Sequence, residues 1–287
     1  MIERQTDHCE YLQFEQFAAV PGLVHAVFTR RKGFSAPPFA GLNASSVTGD
    51  DLSVVERNKA AIVATLGMPL VATKPVHGAQ VAVVERETAA ERSGDWLEAF
   101  RARLRIIEAD AMLSDQPGFA LCWAYGDCAP ILLYDPEHAA FALIHAGWRG
   151  TAAGVAPAAV AAMTARYSSR PAALLAGLGP AIGACCYEVN ETVRATFARH
   201  PLAWECARFV QRTPDPERAD ATGLFLDVAA SNYQQLLAAG IAAEHIDDSG
   251  YCTGCRTDLF YSHRCEPWPS GRFAVAIGLR AEASMKS

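Results

Sequence analysis

Ala129-Pro130-Ile131-Leu132-Leu133-Tyr134 and Ala140-Phe141-Ala142-Leu143-Ile144, with the turn-forming Asp135-Pro136-Glu137-His138 between them, decide how the chain is read. Both runs are apolar and too short for buried helices, and Asp-Pro breaks any helix that would join them, so they predict two closely paired strands. Working outward, Leu174 to Leu178 reads as a third buried strand that runs into Gly179-Pro180, and Arg272 to Leu279 as the last strand. An Ala-rich run from Thr151 to Tyr167 predicts a helix, with Pro157 disturbing its first turns. A helix over Leu52 to Leu66 is stopped by Gly67 and Pro69, and another runs from the N-cap candidate Asp227 to Ala239, ended by Gly240. Toward the N-terminus, Val24 to Thr29 is an apolar segment, and Pro75 to Val84 reads as a turn entering a β-branched strand. Strands and helices alternate without a strict βαβ rhythm, which predicts an α+β fold of layers around mixed sheets.

No repeat, Pro-rich linker or polar low-complexity tract divides the 287 residues, so the chain reads as one domain over 1–287. Residues 85–108 change character. Charged residues interleave there with Trp96, Leu97, Phe100 and Leu104 at helical spacing, which predicts a charged, exposed amphipathic helical insert rather than a binding site. The formal charge of −6 gives no general pull on nucleic acid or anionic lipid. The charged start Met1-Ile2-Glu3-Arg4 lacks the apolar run of a secretory signal, and no apolar stretch is long enough to span a bilayer. A cytoplasmic protein follows, and its nine Cys are expected as reduced thiols, with a metal or catalytic Cys among them. Nothing in the sequence sets an oligomeric state.

His77, Cys128 and His145 form the sharpest constellation, because each stands at the end of a predicted strand. If the strands on either side of residues 135–138 pair, the Cys128 thiolate and the His145 imidazole meet at one sheet edge. Two nitrogens and a sulfur suit zinc, and three protein ligands leave a fourth position open, as in catalytic sites. Cys252-Thr253-Gly254-Cys255 is half of a zinc-ribbon pattern whose other half would have to come from His263 and Cys265, at an unfamiliar spacing. Gly177 to Gly183 follows a strand and could cradle an anion with its backbone N–H groups, although turn formation is the simpler reading. Arg30, Arg31, Arg149 and Arg264 stand near Gly- or Ser-rich loops where a guanidinium can bind phosphate.

At these residues the chain resembles the YfiH family, which carries a multicopper polyphenol oxidase (laccase) label and is also described as bacterial purine nucleoside phosphorylases. The likeness lies in Val76-His77-Gly78, Gly126-Asp127-Cys128-Ala129-Pro130, His145-Ala146-Gly147-Trp148-Arg149-Gly150, Gly179-Pro180-Ala181-Ile182 with Tyr187-Glu188-Val189, and Tyr261-Ser262-His263-Arg264. It implies a layered α/β sandwich of the kind also seen in putative cysteine hydrolases. It also implies zinc on His77, Cys128 and His145, with Cys128 essential. The implied activity is phosphorolysis of adenosine, inosine, guanosine and methylthioadenosine, with deamination of adenosine. Deamination needs an acidic proton shuttle, for which Asp127 and Glu188 are the candidates. For phosphorolysis, Arg149 is the expected anion contact, with Arg30 and Gly179 as further substrate-binding residues, so the expected partners are a nucleoside and phosphate.

Three other readings stay open. Cys128 as nucleophile with His145 as its base would make a metal-free cysteine hydrolase acting on amides, including peptidoglycan peptides. A structural metal clip would make the protein a binding partner instead of an enzyme. The laccase label meets a chain with eight His and no His-x-His pair, too few for several coppers, although copper outcompetes zinc at most nitrogen and sulfur sites.

Overall fold

The computed structural model describes residues 1–86, 96–215, 217, 218 and 220–281. In chain order the strands are β1 (Ile2–Gln5), β2 (Cys9–Gln13), β3 (Leu23–Lys32), β4 (Leu70–Val71), β5 (Val81–Val83), β6 (Ala111–Ser114), β7 (Ala120–Tyr125), β8 (Ala129–Asp135), β9 (Ala140–Ala146), β10 (Leu175–Leu178), β11 (Phe209–Gln211), β12 (Leu224–Leu226), β13 (Ile246–Asp248) and β14 (Phe273–Leu279). The helices are α1 (Glu15–Ala18), α2 (Leu52–Leu66), α3 (Trp96–Leu104), α4 (Trp148–Ala152), α5 (Val155–Tyr167), α6 (Glu191–Phe197), α7 (Pro201–Cys206) and α8 (Val228–Ala238).

Two six-stranded mixed sheets, ordered β1-β2-β3-β14-β7-β4 and β13-β10-β8-β9-β6-β5, pack face to face. Period-two alternation divides the apolar residues of each strand between two layers. On β9, Phe141 and Leu143 turn toward the first sheet and meet Trp123, Phe273 and Val275, whereas Ala142 and Ile144 turn outward onto Val155, Ala159 and Met163 of α5. The outer face of the first sheet, with Ala26, Phe28 and Ala276, is covered by Ala61, Ile62 and Leu66 of α2. The result is a four-layer helix-sheet-sheet-helix sandwich, the α+β fold with mixed sheets expected from the sequence.

The decisive hairpin forms as read, with β8 antiparallel to β9 and Pro130 opposite His145. Helix α2 keeps its expected bounds because the Asp51 carboxylate accepts from the Ser53 N–H and Gly67 closes the helix in the left-handed region at φ 70°. Asp227 caps α8 by accepting from the Ala230 N–H. The Ala-rich helix differs from expectation. It begins earlier, at Trp148, and breaks at Gly154 (φ 77°), while Pro157 sits harmlessly in the first turn of α5. Of the charged insert near 85–108, residues 87–95 lie outside the described residues, as do the side chains of Trp96 and Phe100. Leu97 and Leu104 of α3 close onto the inter-sheet core, so this helix is docked along its apolar edge.

Leu132 is fully buried between the sheets, and Ile106 is 81% exposed. Leu132→Ala is therefore expected to cost about 2 to 5 kcal/mol in urea unfolding, and Ile106→Ala less than about 0.5 kcal/mol.

Candidate active site

The rim of the inter-sheet core brings His77, Cys128 and His145 together, with ligand atoms from each within 4.8 Å of one another. Each position has a local cause. His145 follows Phe141 and Leu143 on the inward face of β9, where Trp123 and Tyr125 pack against its ring. Cys128 precedes β8 in a turn where Asp127 takes a left-handed φ of 87°. His77 is also left-handed, at φ 60°, a conformation that a non-glycine residue holds only with support.

That support comes from Asp110, which the sequence reading passed over. Its buried carboxylate accepts from the N–H groups of Val76 (3.1 Å), His77 (2.9 Å) and Gly78 (2.7 Å), and meets His145 Nδ1 at 3.0 Å. An ionised carboxylate can only accept, so His145 carries its proton on Nδ1 and leaves Nε2 for the site. A single acid thus fixes the loop of one imidazole and the tautomer of the other. The available signal was an acid set directly against the apolar run of β6, where a buried charge needs several partners.

Burial would raise the Cys128 thiol, but the imidazoles of His145 and His77 more than offset this and hold it well below the ordinary thiol range. Burial would lower His145, but the Cys128 thiolate and the Asp110 carboxylate raise it above the ordinary range. Gly147 makes room for the group. A Cβ there would lie 2.8 Å from Cys128 Sγ and 3.3 Å from His77 Cδ2, so any side chain would fill the cradle. His77 is exposed while His145 is buried, so the centre opens to solvent on the His77 side. The donor set and this cleared space fit a metal ion such as zinc.

Asp127 is not brought into this group. Its carboxylate accepts from Thr253 Oγ1 (2.6 Å), Ser262 Oγ (2.8 Å) and the Arg264 N–H (2.7 Å), so it positions Cys128 and is not free to shuttle a proton. Glu188 is likewise committed, to the Thr222 and Gly223 N–H groups and to Arg218. The anion-cradle expectation for Gly179 fails, because its N–H donates to Pro130 O at 2.8 Å. The following amides are also taken: Ala181 by Tyr251 O, Ile182 by Asp127 O, and Gly183 by Cys252 Sγ. Arg30 pairs with Glu266 and lies over the Tyr261 ring, with its charge already met. Arg31 bridges Glu10 and Asp258.

Arg149 is exposed, with its guanidinium 4.4 Å from the Trp148 ring centre. Arg264 lies 4.8 Å from the ring centre of Tyr187. Burial pushes the Tyr187 phenol up to about 12, with the Arg264 guanidinium over its ring acting against that rise.

The chain belongs to the family described as multi-copper polyphenol oxidoreductase laccase, whose model matches residues 24–280. It is 35% identical over 265 residues to purine nucleoside phosphorylase YlmD of Geobacillus stearothermophilus, covering 91% of this chain and 92% of that protein. A purine nucleoside phosphorylase of Streptomyces coelicolor is 39% identical over 260 residues, covering 89% of this chain and 95% of that protein. The crystal structure of the Geobacillus YlmD superposes with a TM-score of 0.80 at 31% identity, covering 98% of this chain and 99% of that one. A Bacillus licheniformis protein, YfiH, superposes at 0.82 with 29% identity, covering 97% and 99%. The fold and the YfiH likeness expected from the sequence are therefore those of the family.

In metal-free protein, alkylation of Cys128 by iodoacetamide should remain fast below the ordinary thiol range and fall only as acid protonates the thiolate. Asp110→Asn removes one of the two negative charges that favour the cationic form of His145, so the midpoint of that pH profile should move upward. Cys122, pushed up to about 12 by burial, is the unreactive internal control. Mass-resolved labelling across pH reads all three.

Proposed function

We propose that this chain is a cytoplasmic, zinc-dependent purine nucleoside phosphorylase whose centre is His77, Cys128 and His145. The observation that carries the reading is the convergence of these three side chains on the space cleared by Gly147, with Asp110 holding the His77 backbone and the His145 imidazole. Its support from relatives is that full-length proteins at 35% and 39% identity bear the phosphorylase name. Adenosine, inosine, guanosine and methylthioadenosine are the proposed substrates, with phosphate as the second. Among the described residues no helix is long and apolar enough to cross a membrane, and the acidic balance offers no broad basic surface for nucleic acid.

In the reaction a phosphate oxygen bonds to C1′ of the ribose as the bond from C1′ to the purine nitrogen breaks, its electron pair leaves with the base, and the base takes up a proton. Arg149 and Arg264 supply positive charge for the phosphate. His145 keeps its Nδ1 proton on Asp110 and so presents Nε2, and Asp127 holds the Cys128 turn. His77, Cys128 and His145 would hold a zinc ion, which would supply Lewis acidity to the reaction. Copper on the same ligands is adventitious in this reading. Deamination of adenosine is the weaker part of the proposal, because both Asp127 and Glu188 are committed to other partners.

One observation favours a second reading. Asp110, His145 and Cys128 form an orienter, base and nucleophile in sequence, the arrangement of a cysteine hydrolase that needs no metal. Metal analysis separates the two: about one zinc bound through Cys128 supports the phosphorylase, and a covalent substrate adduct at Cys128 in metal-free protein supports the hydrolase.

Cys128→Ala should lose the zinc of this site and nucleoside turnover together while the fold persists. Cys122, whose neighbours lie with α2 on the far face of the first sheet, should when changed to Ala keep both. Wild-type protein incubated with adenosine should release adenine only when phosphate is present. Full zinc occupancy and full turnover in Cys128→Ala would sink the assignment.

A further inference from the structure

The Cys252-Thr253-Gly254-Cys255 motif takes no part in the site above, and His263 does not complete it, while Cys265, beside Gly254, falls outside the group of four sulfurs that does. His263 Nδ1 instead lies 3.1 Å from Arg272 Nη2, and its ring packs edge-on against Trp268. The partners come from a segment about seventy residues earlier in the chain, Cys185-Cys186, in the tight turn after Gly183. The sulfurs of Cys185, Cys186, Cys252 and Cys255 all lie within 4.8 Å of one another. Cys255 Sγ is 3.3 Å from Cys185 Sγ and 3.5 Å from Cys186 Sγ.

We propose that these four cysteines form a second, structural metal site that holds one zinc ion as a tetrathiolate, separate from the centre at Cys128. Geometry carries it. Zinc–sulfur bonds of about 2.3 Å in a tetrahedron set the sulfurs about 3.8 Å apart, the spacing into which this group falls. An iron–sulfur cluster spreads its cysteines over several irons and needs them farther apart. The backbone is arranged for an anionic sulfur, since the Gly183 N–H points at Cys252 Sγ at 3.3 Å. Gly254 must be glycine, because a Cβ there would stand 2.7 Å from Cys265 Sγ, 2.9 Å from Cys186 Cβ and 3.0 Å from Cys186 Sγ. Binding displaces the thiol protons to solvent, and four protein ligands leave no position for substrate, so the site is structural.

The placement gives the ion a task. Ala181 bridges Cys252 in parallel, so the site joins the segment after β10 to the turn at 252–255. Both segments grip Asp127: the Ile182 N–H donates to its carbonyl and Thr253 Oγ1 to its carboxylate. The second zinc therefore clamps the two loops that hold the residue before Cys128.

Cys128→Ala isolates the proposed site whatever the first centre binds. Purified without added metal, this variant should retain one zinc per chain. X-ray absorption at the zinc edge should show four sulfur neighbours, and cobalt in place of zinc should give the intense sulfur-to-metal charge-transfer bands of a tetrathiolate. Cys255→Ser in the same background should lose the ion, and its thermal midpoint should fall. The inference is overturned if Cys128→Ala contains no zinc, if its zinc has nitrogen neighbours, or if iron with acid-labile sulfide is found instead. A disulfide joining any two of the four cysteines in protein purified anaerobically would overturn it as well.

Discussion

The carboxylate of Asp110 is the constraint on which the centre depends. It stands just before β6, fully buried, and its oxygens satisfy three successive backbone N–H groups of the 76–78 turn as well as His145 Nδ1. Without those acceptors the left-handed backbone at His77 would lose its support, and the imidazole of His145 would have no reason to prefer one tautomer. The same residue also extends the β6–β9 ladder, because the His145 N–H donates to the Asp110 carbonyl at 2.8 Å. Sheet pairing and site geometry are thus one set of bonds.

A second buried carboxylate does the equivalent work for the sulfur. Asp127 draws Thr253, Ser262 and the Arg264 amide onto one side chain, and Glu266 ties Ser262 onward to Arg30. Segments far apart in the chain therefore converge behind Cys128. Gly147 and Gly150 then allow the turn into α4 to approach: a Cβ at 150 would stand 2.9 Å from Gly78 O. On the far side of α4, Thr151 accepts from Asn232 and Gln235 of α8, so the helix layer is locked to the same block. The run His145 to Gly150 serves packing as much as chemistry.

Much of this was legible where the cause is local. The β8–β9 hairpin follows from its apolar runs and Asp-Pro turn, α2 and α8 from caps at both ends, and the meeting of Cys128 and His145 from their places at the ends of paired strands. The β1–β2 hairpin was missed because its strands carry charge at an exposed edge of the sheet, with no apolar alternation to mark them. The break at Gly154 is not marked in the sequence, where Pro157 is the more visible signal, though a proline in the first turn of a helix costs little. Asp110 and the union of Cys185-Cys186 with Cys252 and Cys255 are products of tertiary contact, and no spacing rule reaches across that much chain. Asp127 was misread for the same reason, since an acid beside a cysteine looks catalytic until its three donors are known.

Charge balance links the two readings of the centre. Without a metal, the buried group holds the Asp110 carboxylate, the Cys128 thiolate and a protonated His145, which leaves one negative charge unmatched in a region closed by Trp123 and Tyr125. With a divalent ion and neutral imidazoles the same carboxylate and thiolate are matched in full, and His77 adds a ligand in place of a bystander. Uncompensated charge is costly where water is excluded. The opening on the His77 side lowers that cost for the metal-free state but does not remove it, so the charges of this group are better balanced around a divalent ion than without one.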